Sequence, residues 1–298
     1  MEVAGSEQRS SIVALYELLG TCLFVYMIIM STGNAVTVPL ALFSVIIIFG
    51  DITGGHFNPA VTLGVYVQLG EYKKNAAMCA IIIFSQLVGS FIGMGLAILT
   101  LASNVDGDYQ VPEQYVPKLC PKNPARPDEC QTYQFNLDFQ IWLTQAICTF
   151  VFVSVILMIK GKYTSPSTDG ALKALAVVFT LGGLIHVANH TAASFNPAVT
   201  SGLTAFQNYV LVNKNEYLTR YLTPYFFGPL LGGALAGLFS LTHHDLHKPV
   251  PAKAETQEPV DQEKAAQKKS SFTGANMAQQ EPEDPLLVKT KTMKDITV

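Results

Sequence analysis

Two nine-residue stretches hold the side chains whose types and spacing could do chemistry. Residues 56–64 read HFNPAVTLG and residues 194–202 read SFNPAVTSG, with seven of nine positions matching at a separation of 138 residues. One Asn-Pro-Ala would be weak evidence, because Asn caps and Pro opens many ordinary helices. Two copies in the same extended context point to an internal duplication. In each copy Asn58 or Asn196 reads as the N-cap, Pro59 or Pro197 as the first helical residue, and Ala60 or Ala198 as the second. A helix start defined in this way presents about half a positive charge, and the Asn amide beside it donates hydrogen bonds. That chemistry suits the oxygen of a neutral hydroxyl compound and repels cations. It contains no nucleophile paired with a base. His56, His186 and His190 are scattered along the chain and fit packing or hydrogen-bonding roles better than a metal site. No catalytic group, metal or cofactor is expected.

The elements that position these motifs are apolar. The chain is 49% hydrophobic and only 14% charged, against about 25% charged residues in a soluble domain. Of its 41 charged side chains, 17 lie in the last 55 residues, so the body of the chain is poorer still. Six stretches approach or exceed the roughly 20 residues that cross a hydrocarbon core: residues 11–30, 36–53, 76–102, 139–159, 171–188 and 221–242. Their backbone groups must be satisfied within each segment, so helices are predicted. A net charge of −3 leaves no basic footprint for nucleic acid. The first stretch lacks the basic start and cleavage site of a secretory signal.

The duplication extends beyond the motifs, since Glu17-Leu-Leu-Gly-Thr21 in the first span answers Gln145-Ala-Ile-Cys-Thr149 in the fourth. Each half therefore has three spans with a motif between the second and third. Three is odd, so the second copy enters the membrane inverted. Each motif opens a helical run of about a dozen residues, 58–69 and 196–206, or roughly 18 Å of helix. Inverted repeats with such half-helices mark a pathway at the midplane. A secondary transporter would share the broken helices but typically has more spans and charged coupling sites. Glu17 stands inside a span, where a carboxylate costs roughly 2.5 kcal/mol or more and is expected to be paired. Asp51 reads either as facing the cytoplasmic vestibule or, the favoured alternative, as lying just beyond the hydrocarbon.

The sequence resembles the aquaporin (major intrinsic protein) family over about residues 8–243. Besides the paired motifs, Glu17 matches the family's buried acid. Gln86 with Gly89 fits its third span, and Phe227-Gly-Pro-Leu-Leu-Gly-Gly233 fits its sixth. The resemblance implies an all-α membrane protein of six transmembrane helices plus two re-entrant half-helices. It also implies a pore for water and small uncharged solutes in each subunit of a homotetramer. Glu17 and its counterpart Gln145 would accept hydrogen bonds from the re-entrant loops, Gln145 less firmly because the family usually has a second Glu there. Close helix approach is expected at Gly89/Gly93 and Gly228/Gly232.

The chain departs from the family at Val199, where most members place a filter arginine. Counting without gaps puts Val38, Leu184 and Ala193 at the other filter positions, and all four are apolar. Such a filter would be wide, admitting glycerol or urea, or would dewet and conduct poorly. Subfamily signatures conflict. Thr200 stands where glycerol channels usually carry Asp, Tyr225 and Phe226 are typical of water channels, and residues 207–221 look longer than in a plain water channel. A non-conducting structural membrane protein remains the alternative.

Lys and Arg near the span ends place both termini in the cytoplasm of a plasma or internal membrane. The inner flanks would hold Arg9, Lys73, Lys74, Lys160, Lys162, Lys173 and Lys248, against Lys118, Lys122, Arg126, Lys214 and Arg220 outside. The predicted layout is a cytoplasmic segment 1–10, a channel domain 11–243 and a disordered cytoplasmic tail 244–298. The channel domain comprises repeats 11–102 and 139–243 joined by loop 103–138. In that loop Cys120 and Cys130 could form a disulfide or remain free thiols, and spacing leaves both open. The tail mixes charges with few aromatics and cannot bury enough apolar surface to fold.

Overall fold

A computed structural model describes residues 2–101, 134–210 and 222–247, which fall in one compact unit. The described residues form eight α-helices and no strand. Five are long: α1 (Glu2–Met30), α4 (Tyr72–Leu101), α5 (Gln134–Lys160), α6 (Gly170–Val187) and α8 (Leu222–Leu246). A sixth, α2 (Thr37–Thr53), has 17 residues and is ended by Gly54 at φ 83°, whose N–H returns to Gly50 O. The two short helices are α3 (Pro59–Leu69) and α7 (Pro197–Val210). At 11 and 14 residues they are about 16 and 21 Å long, too short to cross.

Several helices outrun their apolar stretches. α1 reaches back to Glu2, α5 starts at Gln134 and α8 ends at Leu246, beyond the apolar stretches that begin at residues 11 and 139 and end at residue 242. Glu, Ala, Gln and Arg in these flanks are good helix formers, and hydropathy does not register them. Cys120, Cys130 and the tail lie outside the described residues.

The two halves pack alike. α4 crosses α1 at Gly89 and Gly93, where added Cβ atoms would stand 3.0 Å from Leu18 C and 3.1 Å from Cys22 C. α8 crosses α5 at Gly228 and Gly232, with Trp142 O and Phe150 N each 2.9 Å from such an atom. Backbone meets backbone at both crossings. Each half-helix is wedged by the same device, Gly64 of α3 against Gly233 of α8 and Gly202 of α7 against Ser90 of α4.

Polarity is inverted relative to a soluble domain. Phe84, Leu99 and Phe179 point outward, at 68, 72 and 75% exposure, while Glu17, Gln86, Gln145, Thr62 and Thr200 are fully buried. Lipid accepts the first set, and the second braces the loops that carry the motifs.

Candidate functional site

Each motif is built by its own local chemistry. Asn58 caps α3 in an extended conformation, its Oδ1 accepting Ala60 N–H at 2.8 Å, and Pro59 follows as the first helical residue. Asn196 Oδ1 accepts Ala198 N–H at 3.0 Å and Val199 N–H at 3.3 Å. Each amide then reaches into the other repeat. Asn58 Nδ2 donates to Phe195 O and Asn196 Nδ2 to Phe57 O, both at 2.9 Å. The half-helix N-termini are thus cross-braced, and both Asn side chains line one cavity.

Those carbonyls are available because Phe57 and Phe195 adopt φ of 44° and 53°. A left-handed bulky residue costs roughly 1–3 kcal/mol and persists only where its surroundings enforce it. Glu17 enforces the first. Its Oε1 accepts His56 N–H at 3.0 Å and its Oε2 accepts Phe57 N–H at 2.8 Å. Gln86 Nε2 bridges Glu17 Oε2 at 2.8 Å and Thr62 Oγ1 at 2.9 Å. In the second half Gln145 Oε1 accepts only Phe195 N–H, at 3.0 Å, and its amide donates weakly to Thr191 Oγ1 at 3.4 Å. Glu17 therefore takes two backbone N–H groups of its loop and Gln145 takes one of the other, which Tyr225 also holds by donating its hydroxyl to Thr191 O. The repeats also share a side-chain pair beside the lumen. His56 Nδ1 lies 3.2 Å from Thr62 Oγ1, and Ser194 Oγ lies 2.7 Å from Thr200 Oγ1.

The cavity at the motifs has a volume of about 40 Å³. Three of the four apolar candidates, Val38, Ala193 and Val199, line it together. Leu184 does not. α6 turns Val177, Leu181 and Ile185 to the cavity, one stripe at a spacing of four, and leaves Leu184 half-buried against the core beside it. The ungapped count missed this because one residue along a helix rotates a side chain by about 100°.

A wider cavity of about 230 Å³ adjoins the first and shares Ile46, Gly55, Ile156 and Val177 with it. Asp51, Lys160 and Lys173 stand in its wall, and Lys160 Nζ donates to Gly54 O, in the chain leading to the first motif. Sequence reasoning used Lys160 only as an orientation charge. Its position as a charge at a helix end was the available signal. Among the described residues no cluster of three metal-ligating side chains occurs, and Cys22, Cys79 and Cys148 are buried free thiols.

The family model for Major intrinsic protein matches residues 6–240. The chain belongs to the major intrinsic protein family. An aquaglyceroporin of Toxoplasma gondii is 27% identical over 225 residues, covering 74% of this chain and 73% of that protein. Aquaporin-B of Dictyostelium discoideum is 28% identical over 269 residues, 77% of this chain and 83% of its own. The X-ray structure of the aquaglyceroporin from Plasmodium falciparum superposes with a TM-score of 0.59 at 15% identity, over 80% of this chain and 99% of that one. The fold of six long helices and two half-helices is therefore the family's. The chain is a multi-pass integral membrane protein, and family membership supports a channel for water and small solutes.

Proposed function

We propose that the lumen conducts water and small uncharged solutes such as glycerol and urea, with no chemical step. The observation that carries this reading is the cross-bracing of Asn58 and Asn196 at opposed half-helix N-termini in one cavity. Each amide has two N–H donors. One holds the opposite loop, and the second serves a permeating oxygen. Two converging N-terminal dipoles oppose a cation at the same point. A lumen of about 40 Å³ exceeds the roughly 10–15 Å³ that one water needs, so water passes without its bulk shell.

Val38, Ala193 and Val199, with Leu181 and Ile185 from α6, form the constriction beyond the motifs. It lacks a charged side chain, so it selects by size and by apolar contact. The functional unit is a homotetramer with a pore in each subunit. Both termini face the cytoplasm, so the cavity beside Lys160 is the inner vestibule and the Val38–Val199 end is the outer mouth. The channel domain spans about residues 11–243.

A second reading, a non-conducting structural protein, is favoured by the same apolar ring, which could dewet. Stopped-flow light scattering of proteoliposomes shocked with sucrose, glycerol and urea separates the two. Conduction predicts faster shrinkage in sucrose than protein-free vesicles give, and re-swelling in glycerol or urea. Shrinkage at the protein-free rate would overturn conduction and leave the structural reading.

Deletion of residues 250–298 is expected to leave folding and water permeability within about twofold of the full chain, since that segment mixes both charge signs with few aromatics and has no apolar periodicity. Size-exclusion chromatography in detergent checks the assembly. Loss of the tetramer on truncation would contradict this account of the tail.

A further inference from the structure

We propose that Lys160 is the fixed cation barrier of this lumen, placed in the inner vestibule and not at the apolar outer mouth. The inference rests on the lumen being a conducting pathway. Lys160 is the last residue of α5. Its side chain turns inward to Gly54 O, and it lines the 230 Å³ cavity that leads to the motifs. An ammonium has three donors. Gly54 takes one, which leaves two for water that enters the cavity.

The charges around it do not cancel its effect on the lumen. Asp51 and Lys173 share the wall. Among the described residues the ion pair within 4.0 Å is Lys74–Glu71, so no carboxylate clamps Lys160. Glu17 feels its field but lies outside the wall, behind the loop, with both carboxylate oxygens taken by His56, Phe57 and Gln86. Ile46, Ile156 and Val177 also line this cavity. Lys160 and Lys173 against Asp51 leave the wall with one excess positive charge, and its apolar remainder focuses that field. A cation entering here passes Lys160 and Lys173 before it reaches the two helix N-termini. Among the described residues, no charged side chain lines the cavity at the Val38–Val199 end.

The test uses the full-length chain in proteoliposomes. Sodium leak, proton leak and water permeability are measured on the same vesicles for the wild type, Lys160→Arg, Lys160→Gln and Lys160→Met. The readout is the ratio of cation leak to water permeability. The ratio is expected to rise about tenfold in Lys160→Gln and Lys160→Met and to stay near wild type in Lys160→Arg. Lys160→Gln keeps a donor for the Gly54 carbonyl, so a rise there reports charge and not loop bracing. An unchanged ratio in Lys160→Gln, or an equal rise in Lys160→Arg, overturns the proposal. A wild-type measurement decides the matter even where a variant fails to fold, because sodium leak exceeding chloride leak would also overturn it. Absence of wild-type water flux would instead overturn the conduction reading, an outcome distinct from flux with an unaltered ion ratio.

Discussion

Glu17→Ala is expected to prevent recovery of folded protein, whereas Gln145→Ala should only weaken it. Glu17 accepts from three buried donors, His56 N, Phe57 N and Gln86 Nε2, at 3.0, 2.8 and 2.8 Å. Stranding a buried donor costs about 1–3 kcal/mol, so the loss is about 3–9 kcal/mol against a typical total stability of 5–15 kcal/mol. The left-handed Phe57 would lose its restraint at the same time, and with it the carbonyl that receives Asn196. Gln145→Ala strands one backbone donor, Phe195 N, for about 1–3 kcal/mol. Thermal unfolding in detergent, followed by loss of the monodisperse peak, compares the two. Glu17→Gln keeps the size and one acceptor oxygen and should fall between them. Equal losses for the two alanine variants would mean that the asymmetry of the loop braces is energetically silent.

Val199→Arg is expected to convert the proposed constriction at the Val38–Val199 end from an apolar ring to a charged one and to narrow it. Val199 is buried in the first turn of α7, facing the cavity shared with Val38, Ala193, Leu181 and Ile185. Those neighbours offer no side-chain acceptor, and a cation near a helix N-terminus is disfavoured by about 0.3–1 kcal/mol. The guanidinium must therefore find backbone carbonyls or water in the lumen, and its bulk occupies the passage. Glycerol and urea permeability should fall by about tenfold, the scale on which a pocket discriminates by size, with a smaller fall for water. Stopped-flow rates for the three permeants on one preparation provide the comparison. Equal losses in a well-folded variant would show that the native ring is already as narrow as water.

The inverted repeat, the six spans and the two capped half-helices were legible in the sequence because each rests on local physics. Lipid leaves the backbone no partners outside its own helix, so apolar length reads directly as a crossing. Asn followed by Pro defines a helix start wherever it occurs. Glu17 and Gln145 stood out as polar groups in apolar runs, and the glycine pairs 89/93 and 228/232 stood out by their spacing.

What the tertiary structure decided depends on how helices are rotated and where loops are held. Leu181 and Ile185, not Leu184, reach the cavity, because rotation of a helix about its axis is set by its neighbours and an ungapped count carries no phase. Phe57 and Phe195 take left-handed backbone that nothing in their own residue type favours. They hold it because Glu17 and Gln145, about 40 and 50 residues away in the chain, pin their N–H groups. Lys160, legible only as a charge at a helix end, becomes part of the lumen because the turn after α2 brings the Gly54 carbonyl within its reach. Chain-local preferences name the elements. Contacts between residues distant in sequence decide which side chains line the path, since only packing fixes rotation, tilt and loop conformation to the fraction of a helical turn that a pore requires.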